Sequence, residues 1–92
     1  MRIILKPIGD LRDYFGREPL EFELPENAMA KDLLTIIGEG WGPKLPAYLW
    51  DVQKGAFRGA VYLVVDNKVI QDLNTPLHDG IEVVLLKALS GG

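Results

Sequence analysis

The 92-residue sequence has no cysteine, no block of basic residues and no long apolar run. Without cysteine it can form neither a disulfide framework nor a thiolate zinc site, and it offers no thiol nucleophile. A net charge of −3 without a basic block argues against a nucleic-acid interface. Because no apolar run reaches the length of a membrane span and no signal-peptide layout follows Met1, we expect a soluble, cytoplasmic protein that does not bind membranes.

The residues that are present suffice for one hydrophobic core. Hydrophobic residues make up 48% of the chain, which is enough to fold without disulfides. No internal repeat, low-complexity tract or linker is visible. We therefore expect a single domain over residues 1–92, with a flexible C-terminal tail at residues 88–92.

The N-terminal part predicts a β-hairpin. The segment Arg2 to Ile8 is rich in Ile and Leu, and Pro7 near its end suits a strand end or edge. Gly9 to Pro19 is polar and turn-rich. Over residues 20–24 apolar and acidic residues then alternate strictly, which predicts a half-buried strand that Pro25 closes.

The middle of the chain predicts one amphipathic helix and a shorter second one. Asn27 is a candidate N-cap, and Gly38 stands where a helix C-cap would. The second helix is expected after Pro46 and ends at Gly55. The apolar positions at helical spacing are Met29, Leu33, Ile36 and Ile37 in the first helix, and Leu45, Leu49 and Val52 in the second.

The C-terminal part predicts three strands. Ala60 to Val65 is β-rich, and Asp66-Asn67 is typical of a tight turn into Lys68 to Ile70. The last strand, Ile81 to Lys87, is an almost continuous apolar run, which is typical of a strand in the middle of a sheet.

The position of that last strand decides the fold. To be central it must lie beside the first strand and parallel to it, which gives an α+β roll with a mixed sheet of about five strands. One main helix then crosses one face. Since no second long helix covers the other face, we expect an apolar surface there, suited to an interface or a weak homodimer.

The sequence ends in Gly91 and Gly92, which place a carboxylate on a segment without side chains. Such a segment can enter a narrow channel where any Cβ would clash. Taken alone, a terminal Gly-Gly is more often a frayed end, because disorder concentrates at chain ends. The rest of the sequence favours the functional interpretation.

Two further stretches, together with Gly91 and Gly92, resemble the ubiquitin-like sulfur carriers of the MoaD/ThiS family. They are VVDNKV at residues 64–69 and TPLHDGIEV at residues 75–83. The resemblance is closest to the small subunits of molybdopterin synthase, and it implies a β-grasp fold. A looser similarity extends over Leu11-Arg12, residues 24–26 and residues 32–34.

The sequence departs from the family pattern in three places. Lys87-Ala88-Leu89 stands where Pro-Pro-Val is usual, and Ile81 replaces the second Asp of a D-G-D turn. The segment 38–59 is longer than a minimal carrier needs. Its aromatic residues, Trp41, Trp50 and Phe57, suit either a partner-specific insertion or extra core.

The resemblance implies a function that depends on Gly92, with Gly91 beside it. An activating enzyme of the MoeB/ThiF type would use ATP-Mg to adenylate the Gly92 carboxylate, and a sulfur donor protein would convert it to a thiocarboxylate. The large subunit of molybdopterin synthase (MoaE-like) would receive the sulfur during molybdenum or tungsten cofactor biosynthesis. No stably bound cofactor or metal is implied, and the chain would have no autonomous active site.

Other functions stay open. The activated carboxyl of Gly92 could be transferred to lysines of other proteins, as in a ubiquitin-like modifier, or serve another sulfur pathway as in ThiS. Alternatively, the chain could be a β-grasp interaction domain whose Gly-Gly is incidental.

The remaining chemistry-bearing residues are better explained structurally. A lone histidine in a turn, His78, lacks the partners that catalysis or metal binding would need. Glu21 and Glu23 fit the solvent face of a strand. The GEGWGP stretch at residues 38–43 lacks the Lys-Ser/Thr of a phosphate loop. Trp41 and Trp50 are expected in the core or in an interface.

Overall fold

A mixed five-stranded sheet and one long helix dominate the computed structural model, which describes residues 1–88. The elements are β1 (Arg2–Pro7), α1 (Arg12–Phe15), β2 (Leu20–Glu23), α2 (Ala30–Trp41), β3 (Trp50–Asp51), β4 (Ala56–Phe57), β5 (Val61–Val65), β6 (Lys68–Val69) and β7 (Ile81–Lys87). In these residues the strand order is β2-β1-β7-β5-β6, and β3 and β4 form a separate small hairpin. None of the helices in residues 1–88 has both the length and the apolar character needed to cross a membrane.

The last strand is central, as the sequence predicts. β7 pairs in parallel with β1, so that Ile3 lies opposite Ile81 and the ladder continues to Pro7. On its other side β7 pairs antiparallel with β5, where Leu63 lies opposite Leu85. The predicted hairpin of β1 and β2 is also present. The α+β roll with a mixed sheet is confirmed.

The core lies between this sheet and α2. Ile81, Val83 and Leu85 of β7 point toward the helix and are buried, as are Leu33 and Ile37 of α2. Removing such a side chain from water contributes roughly 1.5–3 kcal/mol. Because side chains alternate along a strand, the residues between them in β7 face the other side of the sheet. The continuous apolar run thus serves two different surfaces.

The tight turn between β5 and β6 has the predicted residues in the conformation they favour. Asp66 and Asn67 have positive φ angles of 53° and 64°. Two consecutive left-handed residues define the two-residue hairpin turn that matches the twist of paired strands, and Asn and Asp tolerate it best.

The start of α2 differs from the prediction. The residue preceding the helix is Met29, not Asn27, and its backbone N–H donates to the Asp32 carboxylate at 2.7 Å. The N–H groups of Ala30 and Lys31 donate to the carbonyls of residues 75 and 73, each at 2.9 Å. A segment distant in sequence thus satisfies the free donors of the first turn and sets where the helix begins.

The end of α2 also differs from the prediction, because Gly38 does not terminate the helix. The helix continues to Trp41. Gly38 lies against the indole of Trp50, where an added Cβ would be 2.8 Å from Cζ2 of that ring. The residue is glycine because another ring approaches the helix closely, and not because the chain needs a left-handed cap there.

The predicted helix after Pro46 is wrong. The segment contains a 3-10 turn at Gly42–Lys44 and then the β3–β4 hairpin, whereas the short second helix of the fold is α1. Asp51 favours the hairpin by accepting backbone hydrogen bonds from residues 53 and 54. Leu45 and Leu49 are buried as expected, but Val52 at the hairpin tip is 73% exposed.

The segment 38–59 adds to the core. Trp50 is 3% exposed and meets Phe57 edge-on, with 4.9 Å between ring centroids. Trp41 packs on Phe15 of α1 at 5.5 Å and on Phe22 of β2 at 5.9 Å. Such aromatic pairs each contribute about 0.5–1.5 kcal/mol beyond area burial. They attach the hairpin and α1 to the end of α2.

We predict that Gly38→Ala destabilises the protein by about 1–3 kcal/mol, because the new methyl group would push on a buried indole ring that has little room to move. Denaturant unfolding followed by tryptophan fluorescence measures the change.

Gly40→Ala is the matched control. It lies one half-turn further along the same helix, and its added Cβ would meet nothing within 4 Å. Alanine has the higher helix propensity, so this variant is expected to be neutral or more stable by up to about 1 kcal/mol. Equal stability of the two variants would contradict the packing explanation.

Candidate functional site at the end of the last strand

The main chain of β7 is held in place up to Ala88. On one side the N–H of Ile8 donates to the carbonyl of Leu85 at 3.0 Å. On the other side the N–H of Ala88 donates to the carbonyl of Ala60 at 2.8 Å. The predicted functional residues Gly91 and Gly92 lie outside the described residues 1–88, as does most of the predicted flexible tail. The described chain fixes the point from which the tail starts.

The side chain of Lys87 is anchored beside this point. Its Nζ donates to the carboxylate of Asp10 at 3.1 Å and lies 5.8 Å from the centre of the Tyr48 ring. An ammonium group over an aromatic face is attracted by the ring quadrupole. Two contacts from distant parts of the sequence therefore hold the residue that replaces a proline of the resembled family.

Two tyrosines continue this surface. The hydroxyl of Tyr14 lies 3.4 Å from that of Tyr48, and either group can donate the hydrogen bond. This hydrogen bond is the main cause that raises the pKa of Tyr14 above its usual value. Tyr48 is 63% exposed and Tyr14 is 37% exposed. The pair therefore presents amphipathic rings to solvent close to the exit of the tail.

A shallow cavity of about 220 Å³ lies beside Lys87 and Ala88. Residues 48–49 and 58–61 form its other walls. Arg58 contributes from the loop after β4; its backbone N–H donates to the carbonyl of Leu49 at 2.7 Å. Its guanidinium lies 3.3 Å from a carboxylate oxygen of Asp51. The small hairpin thus carries a second cation to the exit.

Asp51 organises that hairpin. Its Oδ1 accepts the backbone N–H of Gln53 at 2.9 Å and of Lys54 at 3.1 Å. The hydrogen bond from Lys54 is the largest cause that lowers the pKa of the Asp51 carboxyl, and the charge of Arg58 also lowers it. The ionised form of Asp51 is therefore the one that the folded chain favours.

The open face of the sheet carries the expected apolar surface. Ile4, Val64, Val84 and Leu86 are partly exposed there, and Tyr62 is 39% exposed. An ion pair of Lys6 with Glu82 crosses one end of this surface. Because β7 contributes both to the open face and to the tail, a partner that covers this face also lies next to the tail.

The other candidates have structural surroundings. His78 is exposed in a turn, and its Nδ1 lies 3.2 Å from the carbonyl of Asp79. Glu21 and Glu23 are exposed on edge strand β2. Among residues 1–88 no three His, Asp or Glu side chains are grouped so that they could hold a metal ion. Trp50 is buried in the core, and Trp41 is partly buried and packs against it.

Sequence reasoning missed the residues around the exit. Asp10 and Lys87 are 77 positions apart, and no local pattern links them. One signal was present: Leu11 and Phe15, both buried, have the spacing of a helical turn. That turn directs Tyr14 toward the exit.

Comparison with known proteins identifies the fold. No protein-family model matches the chain, and no curated protein matches it by sequence. Solved structures do match. SAMP1 from Haloferax volcanii superposes with a TM-score of 0.78 over 100% of both chains, at 17% sequence identity.

Two other similar structures are of molybdopterin-converting factor proteins. A putative molybdopterin converting factor subunit 1 from Pyrococcus furiosus has a TM-score of 0.72 at 22% identity, covering 96% of this chain and 98% of that one. The complex of subunits 1 and 2 of molybdopterin-converting factor from Helicobacter pylori gives 0.66 at 25% identity, with 100% of both chains covered. The chain therefore has the ubiquitin-like β-grasp fold of the MoaD/ThiS type, which confirms the resemblance at the level of fold.

We predict that Asp51→Asn lowers the melting temperature at pH 7. The folded-state pKa of Asp51 is lowered, so its ionised form stabilises the protein above the ordinary value of 3.8, and this stabilisation is lost as the pH falls through the lowered pKa. The difference between wild type and variant should accordingly shrink in melts recorded at pH values from 7 down to 3.

Glu39→Gln is the control for this series. Glu39 is exposed, and within residues 1–88 it makes no hydrogen bond or ion pair. The effect of Glu39→Gln on the melting temperature at pH 7 should be small. If the difference in melting temperature between wild type and Asp51→Asn stayed constant down to acid pH, the charge of Asp51 would not be the source of the stabilisation.

Proposed function

We propose that the chain is a sulfur carrier, the small subunit of a molybdopterin synthase, and that Gly92 is its reactive residue. The observation that carries the proposal is the central strand β7, whose backbone is hydrogen-bonded as far as Ala88, three residues before Gly91-Gly92 in the sequence. The β-grasp fold and the similarity to two structures of molybdopterin-converting factor proteins support the proposal.

The chemistry begins with activation of a poor electrophile. A carboxylate at neutral pH resists attack because it is resonance-stabilised and negatively charged. An activating enzyme of the MoeB/ThiF type would transfer AMP from ATP-Mg to the Gly92 carboxylate and release pyrophosphate. The resulting acyl-adenylate is a mixed anhydride with a good leaving group. This chain supplies the carboxylate and the surface by which the enzyme holds it.

Sulfur transfer then replaces the adenylate. Hydrosulfide supplied by a sulfur donor protein would attack the acyl carbon, the bond to AMP would break, and AMP and a proton would leave, so that a thiocarboxylate remains on Gly92. The terminal sulfur is softer and more nucleophilic than the oxygen it replaces. In the large subunit, which the Helicobacter pylori complex suggests as a partner, it would attack the pterin precursor. Contacts made far from the sulfur position it for reaction.

A second candidate function shares the adenylate. In a protein modifier the activated carboxyl of Gly92 would be transferred to a lysine amine of another protein. The similarity to SAMP1 from Haloferax volcanii favours this alternative, because SAMP1 stands for small archaeal modifier protein 1. The two functions differ in the nucleophile that receives the acyl group.

We predict that deletion of Gly92 abolishes ATP–pyrophosphate exchange by the activating enzyme, because the carboxylate is then one residue too short to reach the nucleotide. The melting temperature should stay unchanged, since the sheet pairing and the buried core of residues 1–88 are formed without Gly92. Exchange of radiolabelled pyrophosphate into ATP measures the first effect, and calorimetry measures the second.

An alanine appended after Gly92 is the companion variant. It lengthens the tail by one residue and moves the carboxylate from Gly92 onto a residue with a Cβ, and it should also fail to support exchange. Full exchange by both variants would refute activation at Gly92. For the wild-type chain, isopeptide-linked conjugates in cells would favour the modifier, and a stable complex with a pterin-binding subunit would favour the carrier.

A further inference from the structure

The exit of the tail is surrounded by side chains that the core does not need. We name Tyr14, Tyr48, Lys87 and Asp10 the exit patch. They come from α1 and the turn before it, from the loop before β3 and from the end of β7, and their contacts link all three segments. Both tyrosines are exposed, so their rings are available to a partner.

We propose that the exit patch is the surface by which the ATP-dependent activating enzyme recognises this carrier. The inference rests on the proposed function, and it names the surface by which the activating enzyme distinguishes this carrier from other proteins. The enzyme would bind the amphipathic rings of Tyr14 and Tyr48 and the ammonium of Lys87 while it takes the tail into its nucleotide site.

The first reason is that a Gly-Gly tail cannot identify its carrier. Gly91 and Gly92 have no side chains, so every protein that ends in this pair presents the same final atoms. Discrimination between such proteins has to come from side chains outside the pair. Lys87 stands where the resembled family has a proline, so it differs between this chain and those carriers.

The second reason is distance. Gly92 comes four positions after Ala88, and even a fully extended chain spans at most about 3.6 Å per residue, or roughly 14 Å over these four steps. The longest dimension of the described chain is 38 Å. An enzyme that acts on the Gly92 carboxylate must therefore cover the end of the molecule where Ala88 lies, and the exit patch lies at that end.

The third reason is the chemical character of the patch. Tyrosine is enriched among the residues that dominate binding energies, because its ring is large, rigid and able to form hydrogen bonds. Lys87 is already fixed by Asp10 at 3.1 Å and by the Tyr48 ring at 5.8 Å. A surface ordered before binding loses less entropy when the enzyme docks.

The test measures the kinetics of adenylation with the activating enzyme of the same organism, using pyrophosphate exchange at varied carrier concentration. We expect Tyr48→Ala and Lys87→Ala each to raise KM for the carrier about tenfold, with kcat at saturation within twofold of wild type. This split is the signature of lost recognition with intact chemistry.

Lys31→Ala is the matched control. Lys31 is an exposed lysine at the start of α2, where its backbone N–H donates to the carbonyl of Leu73; it is not a member of the exit patch, and its replacement removes the same charge. Its KM should equal that of wild type. Melting temperatures of all variants confirm that they are folded, as the exposure of Tyr48 leads us to expect.

The outcomes separate the two proposals. If wild type is adenylated and both variants keep its KM, the exit patch is not the recognition surface, although the proposed function stands. If kcat falls while KM stays unchanged, the patch positions the tail and the inference is overturned. If the enzyme does not adenylate the wild-type chain, the proposed function fails and the inference fails with it.

Discussion

The hydrogen-bond ladder that holds β7 between β1 and β5 is the constraint on which the rest of the structure depends. It places one row of apolar side chains against α2 and the alternate row on the open face. It also fixes where the tail starts, because the backbone is hydrogen-bonded as far as Ala88, the last of the described residues. A strand at the edge of the sheet would have one of these two supports and would start the tail from a less defined point.

The segment 38–59 depends on this frame and in turn builds the surroundings of the exit. The indole of Trp50 packs against Gly38 of α2. This contact anchors the loop that precedes Trp50 and the hairpin that begins with it. The loop carries Tyr48, and the hairpin leads to Arg58. The sequence left open whether the segment 38–59 is a partner-specific insertion or extra core. The structure shows that it adds buried residues to the core and that its loops reach the exit. The same segment therefore contributes both to the stability of the core and to the surface around the exit.

Much of the fold could be predicted because its signals are local. The alternation at residues 20–24, the Asp66-Asn67 turn and the apolar run of β7 each lie within a few residues, and together they fix the sheet order. The boundaries of α2 could not be predicted, because residues 73 and 75 determine its start and Trp50 explains the glycine near its end. The exit patch was missed for the same reason, since its members meet only in the folded chain. Gly91 and Gly92 remain a prediction from sequence and resemblance.

The most direct test of the sulfur-carrier account is the intact mass of the chain after incubation with ATP, magnesium, the activating enzyme and a sulfide source. The account predicts a gain equal to the exchange of one oxygen atom for sulfur, located by fragmentation in the C-terminal peptide that contains Gly92. An unchanged mass, with the same enzyme preparation shown to load another carrier, would contradict it. That result would favour an interaction module whose Gly-Gly is incidental, and the search for isopeptide-linked conjugates would separate this function from a protein modifier.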